Sequence, residues 1–90
     1  MGWNIEISRL ADQNLSQLHP MQAQRILRFL FERVAKLEDP RSIGEALRGS
    51  TLGAFWKYRV GDFRVIANID DRRFTILVVR IGDRKDVYKR

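Results

Sequence analysis

The amino-acid sequence predicts an α+β fold of order β-α-α-β-β-β, a mainly antiparallel sheet covered on one face by a helical hairpin. Three observations carry this. The chain opens on a period-2 segment, Trp3-Asn4-Ile5-Glu6-Ile7, and two stretches with helical spacing follow. From Phe55 onward the sequence is alternating or β-branched, interrupted by turn-forming pairs. Helices grouped before strands favour an α+β arrangement over a parallel doubly wound one. With 90 residues, 44% of them hydrophobic and 10% aromatic, the expectation is one globular domain over residues 1–90.

Each element has a local reason. Trp3, Ile5 and Ile7 alternate with Asn4, Glu6 and Ser8, as in a half-buried strand. Ser8 can cap a first helix whose inner face is Leu10, Ala11, Leu15 and Leu18. Pro20 suits the first turn of a second helix, and Asp39-Pro40 should end it. Ala23, Ile26, Leu27, Leu30, Phe31, Val34 and Leu37 form its apolar stripe, opposite Arg25, Arg28, Glu32 and Lys36. Phe29 falls off that stripe beside Arg25, Arg33 and Lys36, and the plainer reading packs it against the first helix rather than a docked protein. Residues 40–54 read as a long connection anchored by Leu47 and Leu52, with a helical turn around Glu45. Two strands flank Gly61-Asp62, and Asp70-Asp71-Arg72-Arg73 makes the next turn. Phe74–Ile81 shows little alternation, so it should be central and covered on both faces. Gly82–Lys85 reads as a loop and Asp86-Val87-Tyr88 as a short last segment.

The hairpin is the informative part. A two-residue loop at Gly61-Asp62 pairs Val60 with Phe63, and therefore sets Arg59 directly opposite Arg64. Lys57 shares their face by alternation. Like charges opposed on a sheet are destabilising, so a stripe of this kind suggests a polyanion to be placed on it. The net charge of +6 is unevenly spread: residues 1–54 hold seven basic and six acidic side chains, residues 55–90 ten and five. Such asymmetry points to nucleic acid, acidic membrane or an acidic protein.

Other chemistry lacks its residues. There is no Cys, and the single His, His19, precedes Pro20 at a helix boundary, so neither a zinc site nor a Ser–His–Asp relay is expected. The spacing of Gly44, Gly49 and Gly53 fits no phosphate-binding loop. No run nears the ~20 apolar residues of a membrane span, and the N-terminus lacks a signal pattern, so the expected location is cytoplasmic. What remains is cationic and aromatic: Lys57, Arg59 and Arg64, then Arg84 and Tyr88. Guanidinium groups grip phosphate through paired hydrogen bonds, and a Tyr can stack on an unpaired base.

These residues resemble the RelE/ParE toxin superfamily, and within it the RelE-type mRNA interferases. The likeness rests on the element order, Leu47-Arg48-Gly49, Trp56-Lys57-Tyr58-Arg59, Phe63-Arg64-Val65-Ile66 and the ending Ile81-Gly82-Asp83-Arg84-Lys85-Asp86-Val87-Tyr88. It implies a toxin of a type II toxin–antitoxin system that cleaves mRNA in the ribosomal A site through attack by the ribose 2′-OH. It implies no metal and no cofactor, a RelB-like antitoxin, and the 70S ribosome with its mRNA as partners. By position it implies that Lys57 or Arg59 assists removal of the 2′-OH proton, Arg59 being the poorer base because guanidinium holds its proton. Arg64 would stabilise the phosphorane, Arg84 the leaving oxygen, and Tyr88 would orient the substrate. Arg80 and Lys85 would join Lys57, Arg59, Arg64 and Arg84 in contacting RNA. The same fold would also serve a ParE-like inhibitor of DNA gyrase, and a non-catalytic RNA-binding protein would share the basic surface.

Overall fold

The computed structural model describes residues 2–47 and 55–83. Strand β1 (Asn4–Ile7) is followed by helices α1 (Arg9–Ser16) and α2 (Pro20–Arg28). The second helix continues as a π turn, Phe29–Arg33, and a 3₁₀ turn, Val34–Lys36. A further 3₁₀ turn at Pro40–Ser42 leads to β2 (Glu45–Ala46), β3 (Phe55–Val60), β4 (Phe63–Asp70) and β5 (Thr75–Asp83). The sheet order is β1-β5-β4-β3-β2, with β1 parallel to β5 and every other pair antiparallel. The helices carry the chain from one sheet edge to the other across a single face. This is the predicted α+β fold, with one strand more than expected.

Ser8 caps α1 as its sequence suggests, its Oγ accepting from the Ala11 amide at 3.1 Å. The same hydroxyl donates to the Val79 carbonyl at 3.2 Å, and Asn14 Oδ1 accepts from the Ile81 amide at 3.0 Å. Strand β1 pairs only Thr75–Val78, so α1 satisfies groups on β5 beyond the end of β1. The core then forms between Ala11, Leu15, Ile26, Leu30 and Val34 on the helical layer and Tyr58, Val60, Val65, Ala67, Ile69, Ile76, Val78 and Ile81 on the sheet. Each fully buried side chain of Val, Leu or Ile size contributes about 1.5–3 kcal/mol.

Several expectations are corrected. Leu10 is 49% exposed, because α1 meets the sheet along the narrow Ala11/Leu15 face and Leu10 lies about 100° from Ala11. The α-helix stops at Arg28, well before Asp39-Pro40, and Asp39 instead caps the Pro40–Ser42 turn through the Arg41 amide. Within the π turn the Val34 amide reaches back to Phe29, which widens the turn and changes the helical phase. Phe31 therefore lies 48% exposed, while Phe29 turns inward and meets the Tyr58 ring edge-on at 6.0 Å. Phe29 thus packs against the core with its ring on Tyr58 of the sheet.

Glu45 is in a strand, not a helical turn. Gly44 takes φ +82°, a conformation costly for any residue with a Cβ, and the chain then extends to pair with β3. Trp56 Nε1 donates to the Ile43 carbonyl at 2.8 Å and holds this segment against the sheet. Leu47 is buried as expected, against Ile66, Phe55 and Val79; Leu52 lies outside the described residues. Strand β5 is central, and among the described residues helices cover one of its faces. Among the described residues its outer face meets that small Leu47/Ile66 cluster, and Leu77, Val79 and Arg80 are half-buried. Its weak alternation has a geometric cause: Ile66 pairs with Arg80 but Ala67 with Val78, so Val79 is an extra, bulged residue. The strand also runs on through Gly82 and Asp83, which were expected to form a loop. It begins at Thr75, because Phe74 sits in the turn at φ +47°.

Tyr58 ties the layers together. It is fully buried, and its hydroxyl donates to the Pro40 carbonyl at 2.6 Å. Burial disfavours the phenolate and raises its ionisation well above the ordinary tyrosine range. A raised folded-state pKa adds stability that is complete below the unfolded value and is lost as pH climbs toward the folded one. Tyr58→Phe should therefore cost about 1–3 kcal/mol at neutral pH, leaving a buried carbonyl unpaired. Urea unfolding at pH 7 and pH 11 should show the gap between wild type and variant shrinking at the alkaline end.

Candidate functional site

The outer face of the sheet, away from the helices, holds the predicted cations. The loop between β3 and β4 is two residues long, with Gly61 at φ +61° and no positive φ at Asp62, the pattern of a type II′ turn. Register follows from it: Val60 pairs with Phe63, Arg59 with Arg64, Tyr58 with Val65 and Lys57 with Ile66. Tyr58, Val60 and Val65 point into the core, so Lys57, Arg59 and Arg64 must point out. Arg59 and Arg64 form a non-hydrogen-bonded pair, whose Cβ atoms stand about 4.5–5.5 Å apart. The like-charge opposition read from the sequence is real.

Lys57, Arg59 and Arg64 line one cavity of about 70 Å³, together with Gly44, Glu45 and the Tyr58 backbone strand. Arg64 is half-buried, and its Nη1 is buried with no hydrogen-bond partner among the described residues. An unpaired buried donor of this kind costs about 1–3 kcal/mol, more when charged. By contrast, Arg41 makes a two-pronged pair with Asp71, 3.0 Å at each contact, and Arg73 reaches Glu6 at 3.2 Å. The hydrogen bonds from Arg41 hold the Asp71 carboxyl below the usual carboxylate range.

Arg80 lies on the same face, opposite Ile66 on β5, but lines a different cavity of about 240 Å³ with residues that include Asn14, Phe63 and Asp83. Arg84, Lys85 and Tyr88 fall outside the described residues, as do Arg48 and Gly49. The residue that sequence reasoning passed over is Glu45. Its register partner is Lys57, so its carboxylate joins the cationic cavity. Nothing in the local sequence signals this, because the pairing of a two-residue strand is set by Gly44 and Trp56 rather than by alternation. Among the described residues no group of three or more His, Cys, Asp or Glu could hold a metal ion. None of the described helices is long and apolar enough to cross a membrane.

A family model described as the ParE toxin of type II toxin–antitoxin systems matches residues 5–88. The chain belongs to this family. It is a toxin of a type II toxin–antitoxin system. Toxin RelG of Mycobacterium tuberculosis is 28% identical over 90 residues, the whole length of both chains. The fold is shared with the toxin–antitoxin complex RelBE2 of the same organism, at TM-score 0.84, 24% identity and 96% and 95% coverage of the two chains. It is shared too with the archaeal RelE–RelB complex of Pyrococcus horikoshii, at TM-score 0.72, 23% identity and 96% and 99% coverage. The isolated E. coli RelE toxin matches at TM-score 0.69, 17% identity and 96% and 90% coverage. The resemblance to RelE/ParE toxins drawn from the sequence is borne out.

The buried, unpaired Arg64 donor makes a direct prediction about stability. A guanidinium kept for folding would be missed; one opposed to Arg59 and partly unsatisfied would not. Arg64→Met should leave stability unchanged or raise it by up to about 1 kcal/mol, roughly 4–8 °C in a chain of this size. Calorimetric melting of the two proteins checks it.

Proposed function

We propose that this toxin is an endoribonuclease that cleaves mRNA in the ribosomal A site, without a metal ion, and that a RelB-like antitoxin restrains it in the cytoplasm. The observation that carries the reading is the Arg64 guanidinium, half-buried in the lining of a cationic cavity and with its Nη1 unpaired among the described residues. Such a donor is organised before any substrate arrives. It gains most from a group that develops negative charge there, as the oxygens of a phosphorane do.

In the proposed step the ribose 2′-oxygen bonds to the adjacent phosphorus and the bond from phosphorus to the 5′-oxygen breaks. The products are a 2′,3′-cyclic phosphate and a 5′-OH end. The 2′-OH proton leaves to a base and the 5′-oxygen gains a proton. Arg64 stabilises the phosphorane, and Lys57 and Arg59 hold the substrate phosphate or assist the first proton transfer. Glu45 adds a group that the cations lack, a carboxylate opposite Lys57, and carboxylates are among the side chains that serve as general bases. Arg84 at the leaving oxygen and Tyr88 orienting the base complete the reading by position, with Arg80 and Lys85 contacting RNA further along. Related toxins are seen bound to antitoxins, in the RelBE2 and the archaeal RelE–RelB complexes. A strongly basic outer sheet face suits an acidic antitoxin segment in the same way.

Inhibition of DNA gyrase is the second reading, favoured by the family model's description as a ParE toxin. Primer extension on translated mRNA separates the two. New 5′ ends should appear only with ribosomes present, and Arg64→Ala should lower their yield about 10²–10³-fold, the usual cost of one transition-state donor. Glu45→Gln should lower it about 10²–10⁴-fold if Glu45 takes the proton. No new ends from the wild type, with loss of gyrase supercoiling instead, would replace the nuclease reading by the ParE one.

A further inference from the structure

The cationic cavity does not end at Arg59. On the helical side of the β2–β3 edge lies a second cavity of about 220 Å³, lined by Phe29, Arg33, Ile43, Gly44, Tyr58 and Arg59. It shares Gly44, Tyr58 and Arg59 with the smaller cavity that holds Lys57 and Arg64. Arg59 therefore stands between the two, with Arg64 on one side and Arg33 on the other. The ion pairs among the described residues use Arg28, Arg41 and Arg73; Arg33 and Arg59 enter none of them.

We propose that this second cavity is a subsite for the neighbouring nucleotide of the RNA strand held at Arg64, with Arg33 and Arg59 gripping its phosphate. The inference rests on the RNA reading of the first site and extends it by one nucleotide. Among the described residues its lining has two guanidinium groups and no carboxylate, which suits a phosphate that can take paired hydrogen bonds. The cavity has about seven times the ~30 Å³ that one water occupies in the liquid, room for a phosphate group or for part of a base. Phe29 adds an aromatic wall, and any base can lie against an aromatic surface regardless of its identity.

Local structure explains why these groups meet. The π turn brings Phe29 inward against Tyr58 and ends at Arg33, leaving that side chain exposed at the cavity rim. Gly44 keeps the passage low. A Cβ there would stand 2.5 Å from the Lys57 carbonyl and 2.7 Å from Trp56 Nε1. A side chain would therefore push apart the edge where the two cavities join. The arrangement grips backbone and stacks without reading base edges, so it extends affinity with little sequence preference.

The test uses 2′-O-methyl oligonucleotides, which cannot be cleaved by 2′-OH attack, of two and four nucleotides. Their binding to the full-length toxin is measured by fluorescence anisotropy between 50 and 200 mM salt. The wild type should bind the tetranucleotide more tightly. Arg33→Ala should weaken the tetranucleotide about tenfold, as the loss of one charge-assisted contact would. It should also lower the slope of log affinity against log salt by about 0.7, one phosphate on a single strand. Dinucleotide binding should stay within twofold, which also reports that the variant is folded. Arg72→Ala, which removes an exposed charge at the β4–β5 turn, is the control for net charge. If Arg33→Ala behaves like Arg72→Ala on both oligonucleotides, the subsite does not exist. An effect of Arg33→Ala on an acidic peptide but not on RNA overturns it in favour of a protein contact. Should Arg64→Ala leave both oligonucleotides unaffected, the RNA reading of the first site fails, a result distinct from failure at Arg33. If Arg33→Ala proves unstable, Arg33→Gln carries the same comparison.

Discussion

The structure depends on the register of the β3–β4 hairpin. Alternation ties two rows of side chains together: if Tyr58, Val60, Val65 and Ala67 face the helices, then Lys57, Arg59 and Arg64 face away as a block. A slip of one residue would exchange the rows. The energies are unequal. Keeping the inner row buried is worth about 1.5–3 kcal/mol for each large side chain. The cross-strand repulsion between Arg59 and Arg64 costs at most about 1 kcal/mol. Core formation therefore overrides the charge opposition and holds it in place. The left-handed conformation at Gly61 closes the loop at two residues and removes the alternative registers a longer loop would allow. Arg25 lies close over that glycine, where a Cβ would meet its Nη1 at 3.0 Å.

A second constraint places the carboxylate and the passage between the cavities. Residues 40–46 carry little apolar surface of their own, and three contacts pin them. The Tyr58 hydroxyl takes the Pro40 carbonyl, Trp56 takes the Ile43 carbonyl, and Arg41 grips Asp71. Two of the three donors come from the inward row of β3, so the strand that aims the cations outward also holds the segment that brings Glu45 beside them. Gly44 is the joint. It combines a positive φ with a backbone approach to Lys57 that no side chain would permit.

Much of the architecture was legible because it rests on short-range rules. The Ser8 cap, Pro20 in the first turn of α2, the Gly61-Asp62 hairpin and the Arg59–Arg64 opposition each follow from a few adjacent residues. What was misread depends on groups distant in sequence. The π turn between Phe29 and Arg33 changes the helical phase, so a strict 3.6-residue stripe wrongly buries Phe31 and excludes Phe29. Leu10 fits helical spacing but the sheet reaches only the Ala11/Leu15 side. The bulge at Val79 makes two consecutive residues share a face, which imitates a strand buried on both sides. For the site, the three cations of the hairpin were readable from alternation alone. Glu45 was not, since its place comes from pairing across a connection of variable path. Nor could any pattern in the sequence show that Arg64 Nη1 would lack a partner, which is a property of packing.

Charge is divided between two tasks along the sheet. At the end formed by the β4–β5 turn, Arg41 and Arg73 are matched to Asp71 and Glu6, and their guanidinium groups close the fold. These pairs are largely exposed, and such pairs contribute little individually, so their role is to order loops rather than to supply bulk stability. At the hairpin end, Arg59 faces Arg64 and Lys57 faces Glu45, with Asp62 in the loop and Asp83 opposite Phe63. A sheet whose cations were kept only for solubility would gain by mixing the signs evenly over both ends. Segregating them leaves Arg59 facing Arg64, which is half-buried. In the proposed function such a surface attracts an anion over distances of about 8–10 Å at ordinary ionic strength, and the cavity then offers the Arg64 guanidinium that lines it. In the proposed function attraction and clamping fall to the same three side chains, whose shared outward face follows from the hairpin register.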